Sequence, residues 1–531
     1  GKLDVAVMYF EQAVWFGRNE EDRELEGMGL GNLGRTYTAM GYLKRAIEFH
    51  EEALAIAKEQ NDQAAESRAL AELGQVYRLQ GDAKRAVSYQ KQALGLARRV
   101  ADRYREAAAL DHLGTTYRQL GEVDTAESHY QDSLQIARDI GDQTRVKSIL
   151  DSMGQIYLDS GDTREAAVLF QQALDLSRKI GDRVGEGQTL ANLGSLYQQL
   201  GNVGRAIKFY QRALTICHES NDRRRAIDLN LSLGNLYMSS DDTDQALDAY
   251  EAALTGAEQM SDRRRQLTIF GKMGDVILAL GDSMQAAQYY RRGLDIAREL
   301  GHQRAELSYL TKLGRAYEQW GDLGRAVAYY EESRDRRLAV GDLAGALMNC
   351  RQLGTIARHK NQLTLAYEHF QRYLQLAREA DAAAAQFDAL FHLGDVMIDR
   401  GQEKDALDYF KLARDLAESH ENSAEQVPGL ANMGRVYQLM GKRWQAGRHV
   451  DKAVDLAEKL GDPSLVRTAV AHQARIFFQQ GKWDKAQRAA ERALALYYEA
   501  EMSAEAVEMD RLLTDIEQNR GRGWSGFLSS N

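Results

Sequence analysis

Residues 181–220 read GDRVGEGQTLANLGSLYQQLGNVGRAIKFYQRALTICHES, and this stretch decides the fold. Counting so that Gly201 is position 1 of a unit, apolar or small residues fall at positions 30, 33, 34 and 37 as Leu190, Leu193, Gly194 and Tyr197. That is the i, i+3, i+4, i+7 stripe of a helix with one buried face. Asp182 is placed to cap this helix, Glu186 lies in its first turn where the helix dipole favours a carboxylate, and Gly201 ends it. The spacing predicts a first helix from about Arg183 to Leu200 and a second from Val203 to about His218. The second carries apolar or small residues at Ala206, Ile207, Phe209, Tyr210, Ala213, Leu214, Ile216 and Cys217, and is the more deeply packed.

Outward from this unit the pattern repeats every 40 residues without insertion or deletion. Turn glycines recur from Gly1 and Gly41 to Gly441 and Gly481, with Asp241 and Asn361 in the two gaps, and alanine follows five residues later in every unit, from Ala6 to Ala486. Capping aspartates recur as Asp22, Asp102, Asp142, Asp262, Asp342 and Asp462. A fixed period of this size means stacked units that cannot bury an apolar face alone, so the chain is a solenoid. With 2 prolines in 531 residues and abundant Ala, Leu, Glu, Gln and Arg, it is expected to be all-α, with about twenty-six antiparallel helices. Pro428 falls where its unit is already helical, which predicts a late start or a kink there.

Glycine recurs at position 34 in eleven units, from Gly34 to Gly434. Each costs roughly 0.5–1 kcal/mol against alanine in a helix interior. Close approach of helix backbones is the expected compensation, with the position-37 tyrosine, as in Tyr197, filling the adjacent gap.

The residues Leu193, Gly194, Tyr197, Gly201, Ala206, Tyr210 and Ala213, at these spacings, resemble the tetratricopeptide repeat. The 40-residue form, with Gly-Asp-Arg-x-x-Glu at 181–186 and Asn-Leu-Gly at 192–194, is similar to the arrays of the LGN/Pins spindle-orientation adaptors and of many bacterial regulators. The resemblance covers about residues 1–519 and implies an α-solenoid wound as a right-handed superhelix. It implies a non-enzymatic scaffold or sensor that binds a protein or extended peptide in a concave groove lined by first helices; the alternative is the ligand-sensing C-terminal part of a larger signalling ATPase of the STAND class. LGN-type arrays repeat Asn at positions 32 and 36, whereas here Asn is sporadic, so their peptide specificity does not carry over.

The ends differ from the interior. The chain opens on a second helix, Leu3 to about Phe16, whose first-helix partner is missing, so its apolar face is expected to be exposed or to mediate self-association. At the other end, Ser503–Asn519 reads as a capping first helix, because Asp510, Thr514 and Glu517 replace the Leu, Gly and Tyr of the pattern. Residues 520–531 read as a mobile tail. The N-terminus reads as a cut and the C-terminus as natural.

Charge and motifs exclude several functions. A formal charge of -10 argues against nucleic acid as partner. The two cysteines, Cys217 and Cys350, replace small core residues and read as free thiols of a reducing compartment, so the expected location is cytoplasmic. No run is long enough for a membrane span. Gly29-Leu30-Gly31-Asn32-Leu33-Gly34 matches a dinucleotide fingerprint but has no preceding strand. No catalytic, cofactor or metal-ligand constellation is visible, so neither enzyme activity nor a cofactor is expected.

The binding surface is therefore sought at positions 28, 32, 35 and 39, opposite the apolar stripe. The candidate groove for acidic or carboxylate groups of a peptide is Lys312, Arg315, Asn432, Arg435, His472 and Arg475, with Asp388, Asp395 and Asp399 on the intervening helix. A secondary candidate is the irregularity where Arg334 and Arg337 replace Leu and Ala, close to Arg358 and His359. Loss of the usual tyrosine at Ala357 makes room there for an arginine with its stem packed and its head in water.

Overall fold

The computed structural model describes residues 2–420 and 422–528. Among these the chain forms twenty-six α-helices and no strand, numbered in chain order from α1 (Lys2–Asn19) to α26 (Ser503–Leu528). Even-numbered helices are the first helices of the repeat. The described residues fall into two compact units, divided between Ile269 and Phe270. Consecutive helices pack on one another from α1 to α13 in one unit and from α15 to α26 in the other, and several successive first helices also touch, among them α2 (Arg23–Met40) with α4 (Gln63–Gln80) and α22 (Ser423–Leu439) with α24 (Pro463–Gln479). The architecture is an all-α solenoid.

The caps explain why the period is so regular. In the quoted repeat the helices are α10 (Arg183–Gln199) and α11 (Val203–Glu219). Asp182 accepts from the Gly185 N–H at 2.8 Å, and Asp222 does the same for Arg225 at 3.1 Å, so each aspartate satisfies a donor that the first turn leaves without a partner. At the turn, Gly201 has φ 69° and the Asn202 N–H reaches back to the Tyr197 carbonyl at 2.9 Å. Asp241 takes the same left-handed conformation with φ 57°, a conformation that Asp tolerates better than most side chains. Pro428 does not delay its helix: Asn422 caps the Glu425 N–H, and α22 starts at Ser423 in register with the others. The proline occupies the sixth residue of the helix.

Every repeat alanine from Ala46 to Ala486 is fully buried where the second helix meets its neighbours, while Ala6 of α1 is half-buried. The position-34 glycines have a different partner from the one expected. A Cβ added to Gly194 would lie 2.6 Å from the Tyr210 ring, and Gly114, Gly234 and Gly314 meet Tyr130, Tyr250 and Tyr330 in the same way. It is the position-10 ring of the following helix that lies on the glycine. The position-37 tyrosine instead stacks on the ring at position 9, as Tyr197 does on Phe209 with centroids 5.3 Å apart, and Arg205 covers its other face at 5.3 Å.

This geometry fixes the sign of two glycine substitutions in one repeat. Gly194→Ala pushes a methyl group into a Tyr210 ring whose hydroxyl is held by Ser195 and Gln198; overpacking of about 1–3 kcal/mol exceeds the gain in helix propensity. Gly204→Ala meets nothing within 4 Å and should stabilise by about 0.5–1 kcal/mol. Hydrogen exchange of α10 and α11 should show opposite shifts for the two variants; shifts of the same sign would contradict this packing.

The two terminal helices differ from those of the interior. In α1, Val14 is buried beside Gly29, whereas Tyr9, Trp15 and Phe16 are more than half exposed. In α26, Ala506, Met509 and Ile516 face inward and Asp510, Thr514 and Glu517 face solvent. Helical backbone continues past Asn519 to Leu528, and Arg520 pairs with Asp484 at 2.8 Å, so the segment expected to be a tail begins inside the last helix. Residues 529–531 lie outside the described residues.

Candidate functional site

The candidate cations of the second unit fall into two groups, and most are already neutralised. Lys312, on α16 (Gln303–Trp320), contacts Asp275 of α14 (Arg263–Ala279) at 2.6 Å, and the Tyr290 hydroxyl donates to the same carboxylate at 2.7 Å. Burial and that acceptor push the Tyr290 phenol well above its usual range. Arg315 forms no ion pair among the described residues and lines, with Asp275, Tyr290 and Gln319, a cavity of about 500 Å³.

The other group sits on α22 and α24. Arg435 pairs with Asp395 at 3.1 Å and Arg475 with Glu508 at 3.0 Å, while the Asn432 side chain donates to the Pro428 carbonyl at 3.1 Å. His472 lies close enough to both arginines to feel them; burial first, then Arg475 and Arg435, push it down to about 4, so it is neutral near pH 7.

The intervening acids belong to the same lattice. Asp395 also holds Arg358 at 3.0 Å, Asp399 takes the same guanidinium at 2.5 Å, and Asp388 pairs with Arg351 at 2.8 Å. Arg358 is thereby separated from the other secondary candidates. Arg334 pairs with Asp335 at 2.8 Å, and His359 is exposed. Arg337 turns inward instead of reaching water: it meets Asp342 and donates to Ser333 at 3.2 Å and to the Leu307 carbonyl at 3.3 Å. It ties α17 (Leu323–Ala339) to its neighbours because Gly345 leaves space, since a Cβ there would lie 2.0 Å from the guanidinium.

A second cavity, of about 340 Å³, opens in the first unit between α2, α3 (Leu43–Glu59) and α4. His50, at position 10 where most repeats carry an aromatic ring, lies against its inner wall at 1% exposure, with neither ring nitrogen hydrogen-bonded to protein. Burial, then Arg35, pushes this imidazole down to about 4. Glu72 also lines the cavity, and burial raises its carboxyl against the pull of Arg35 and Arg68. Sequence reasoning singled out His359 and His472 and missed this one. The available signal was a histidine in an aromatic register beside glycines at positions 27 and 31.

Among the described residues no group of three His, Cys, Asp or Glu side chains is placed to hold a metal, and no helix is long and apolar enough to cross a membrane. Both cysteines are free and buried.

The repeat geometry agrees with the family assignment. The tetratricopeptide repeat model matches residues 25–99, 65–139, 104–179, 185–259, 265–339 and 427–499. That is more than half of the sequence, and the chain belongs to the tetratricopeptide repeat family. No curated protein sequence matches it. Among solved structures it is similar to BtubC (BKLC) from P. vanneervenii, at 22% identity over 42% of this chain and 93% of that one, with a TM-score of 0.37. It is also similar to the apo quorum sensor NprR from B. thuringiensis, at 14% identity over 63% and 98% of the two chains, TM-score 0.42. A STAND protein with a tetratricopeptide repeat sensor from Pyrococcus horikoshii gives 12% identity over 80% of this chain and 55% of that one, TM-score 0.39.

Proposed function

We propose that the chain is a non-enzymatic scaffold or sensor that binds an extended peptide segment of a partner protein along the polar face of its first helices, with Arg435, His472 and Arg475 gripping acidic groups of that peptide. The observation that carries this reading is the exchangeable ion-pair lattice. Arg435 with Asp395 and Arg475 with Glu508 are partly exposed pairs, of a kind worth about 0–1 kcal/mol. A peptide carboxylate exchanges one such pair for another at little cost, and the planar guanidinium offers a fork of donors to receive it. Neutral His472 beside them adds a hydrogen-bonding group without adding charge.

The test is selection from an immobilised random peptide library, followed by affinity measurement on the variants. Arg435→Ala with Arg475→Ala should weaken the selected acidic peptides about tenfold or more, because charge-assisted hydrogen bonds contribute about 1.5–3 kcal/mol each, and should leave the helical content unchanged. Unchanged affinity moves the site away from α22 and α24.

A further inference from the structure

We propose that the cavity between α2, α3 and α4 is a binding site for a small free carboxylic acid with a short apolar stem, the carboxylate lying between Arg35 and Arg68 and the stem against Ala53, Ile56 and Ala69. This site is separate from the peptide face of α22 and α24 and does not depend on it.

The cavity exists because of residues that the fold itself does not require. Position 27 is Leu267, Leu307 or Leu347 in later repeats, and position 31 is Leu231, Thr311 or Phe391; only this repeat has glycine at both, as Gly27 and Gly31. A Cβ on Gly31 would meet nothing within 4 Å, and one on Gly27 would meet only Ile56, at 3.3 Å. Neither glycine resembles Gly34, whose Cβ would strike the His50 ring at 2.5 Å. Glycine on an open helix face destabilises the helix relative to alanine, and here no neighbouring atom accounts for Gly31. What the two glycines provide is space, about 340 Å³, at the lower end of the range for small-ligand pockets.

The lining sets the chemistry. Ala53, Ile56 and Ala69 are buried and give the inner wall an apolar part beside the His50 ring. At the mouth, Arg35 and Arg68 make no ion pair among the described residues, where the Arg35 side chain bonds only to Asn32. Lys312, Arg358, Arg435 and Arg475, elsewhere on the same helical face, each hold a carboxylate. Burial raises the Glu72 carboxyl while Arg35 and Arg68 pull it down, and among the described residues it forms no ion pair with either. Two guanidinia without an ion-pair partner, beside an apolar strip of wall, complement one compact anion with a short hydrocarbon stem.

The full chain titrated calorimetrically with straight and branched four- to six-carbon carboxylic acids tests this. The acids should bind, and their primary amides, which keep the shape and lose the charge, should bind about tenfold more weakly or worse. Arg35→Ala and Arg68→Ala should each weaken the acids by a similar factor. Gly31→Leu, which restores the side chain present at Leu231, should abolish binding while the circular dichroism stays unchanged. Absence of binding at millimolar acid, equal affinity for the amides, equal affinity for inorganic phosphate, or binding that survives Gly31→Leu each overturns the proposal. So does affinity seen only when the carboxylate is a glutamate side chain within a peptide. The Arg435 and Arg475 variants should leave acid binding intact, which separates failure of this site from failure of the peptide face.

Discussion

Lys147→Met should be among the most damaging single substitutions in the first unit, lowering local stability by about 3–5 kcal/mol. Lys147 and Asp151, on α8 (Gln143–Asp159), form an ion pair at 2.9 Å with about a tenth of each side chain exposed, and Asp151 also accepts from Thr189 at 2.9 Å and Asn192 at 3.3 Å on α10. Burial raises the Asp151 carboxyl while Lys147, Thr189 and Asn192 pull it down. Removing the ammonium leaves a buried charge with only neutral donors. A carboxyl raised in the folded state favours the folded form at low pH, so the variant should recover as the pH falls and Asp151 takes a proton. Removing both charges, as Lys147→Met with Asp151→Leu, should be close to neutral or stabilising, because the Thr189 hydroxyl keeps the Gly185 carbonyl at 3.1 Å. Stability in a solenoid is a sum of local terms, so the measurement is hydrogen exchange in α8 and α10. A single variant as stable as its parent, or a double variant as weak as the single, would sink the argument.

That pair also marks the limit of what the sequence reveals. Helix bounds, caps and turns are legible because each depends on residues within a few positions: Asp182 and Gly201 delimit α10 without reference to anything distant. Burial of the repeat alanines follows from periodicity. The partners of side chains on the polar face do not, because residues about 40 apart in sequence become neighbours only when adjacent first helices stack, as Asp395 and Arg435 do. The position-34 glycine has a similar history. Its cost was legible, but whether backbone, tyrosine 37 or ring 10 lies on it depends on the angle between helices. Arg337 was read as reaching for water, yet a glycine eight residues on, Gly345, gives it an interior seat. The first-unit cavity was hidden because it comes from what is missing: two glycines, each ordinary alone, that coincide on one helix face one turn apart.

His50→Phe should stabilise α2–α4 near pH 7 and remove an acid-labile element from the same helices. Phenylalanine already occupies the equivalent place over Gly154, where Phe170 lies at the same close distance that His50 keeps from Gly34, so the ring is compatible with the backbone. At neutral pH the gain is relief of two buried nitrogens that no protein group satisfies, at a cost of about 1–3 kcal/mol for such a group. The pH term has the same origin as that of Asp151, burial disfavouring the charged form, and the opposite sign. The folded imidazole is held down to about 4 by burial and by Arg35, below the roughly 6.5 of an unfolded histidine, so between those values the unfolded chain binds the proton and the folded chain does not. Stability is therefore complete above about pH 6.5 and is lost as the pH falls toward 4, by on the order of 3 kcal/mol in total. His112 and His472 are also depressed to about 4 and will contribute to the same acid transition elsewhere, so a global melt does not isolate His50. Hydrogen exchange of α2–α4 at pH 7 and at pH 4.5 does: the parent should lose protection there at the lower pH, and the phenylalanine variant should keep most of it. Equal loss in the two proteins would place the acid sensitivity on other groups.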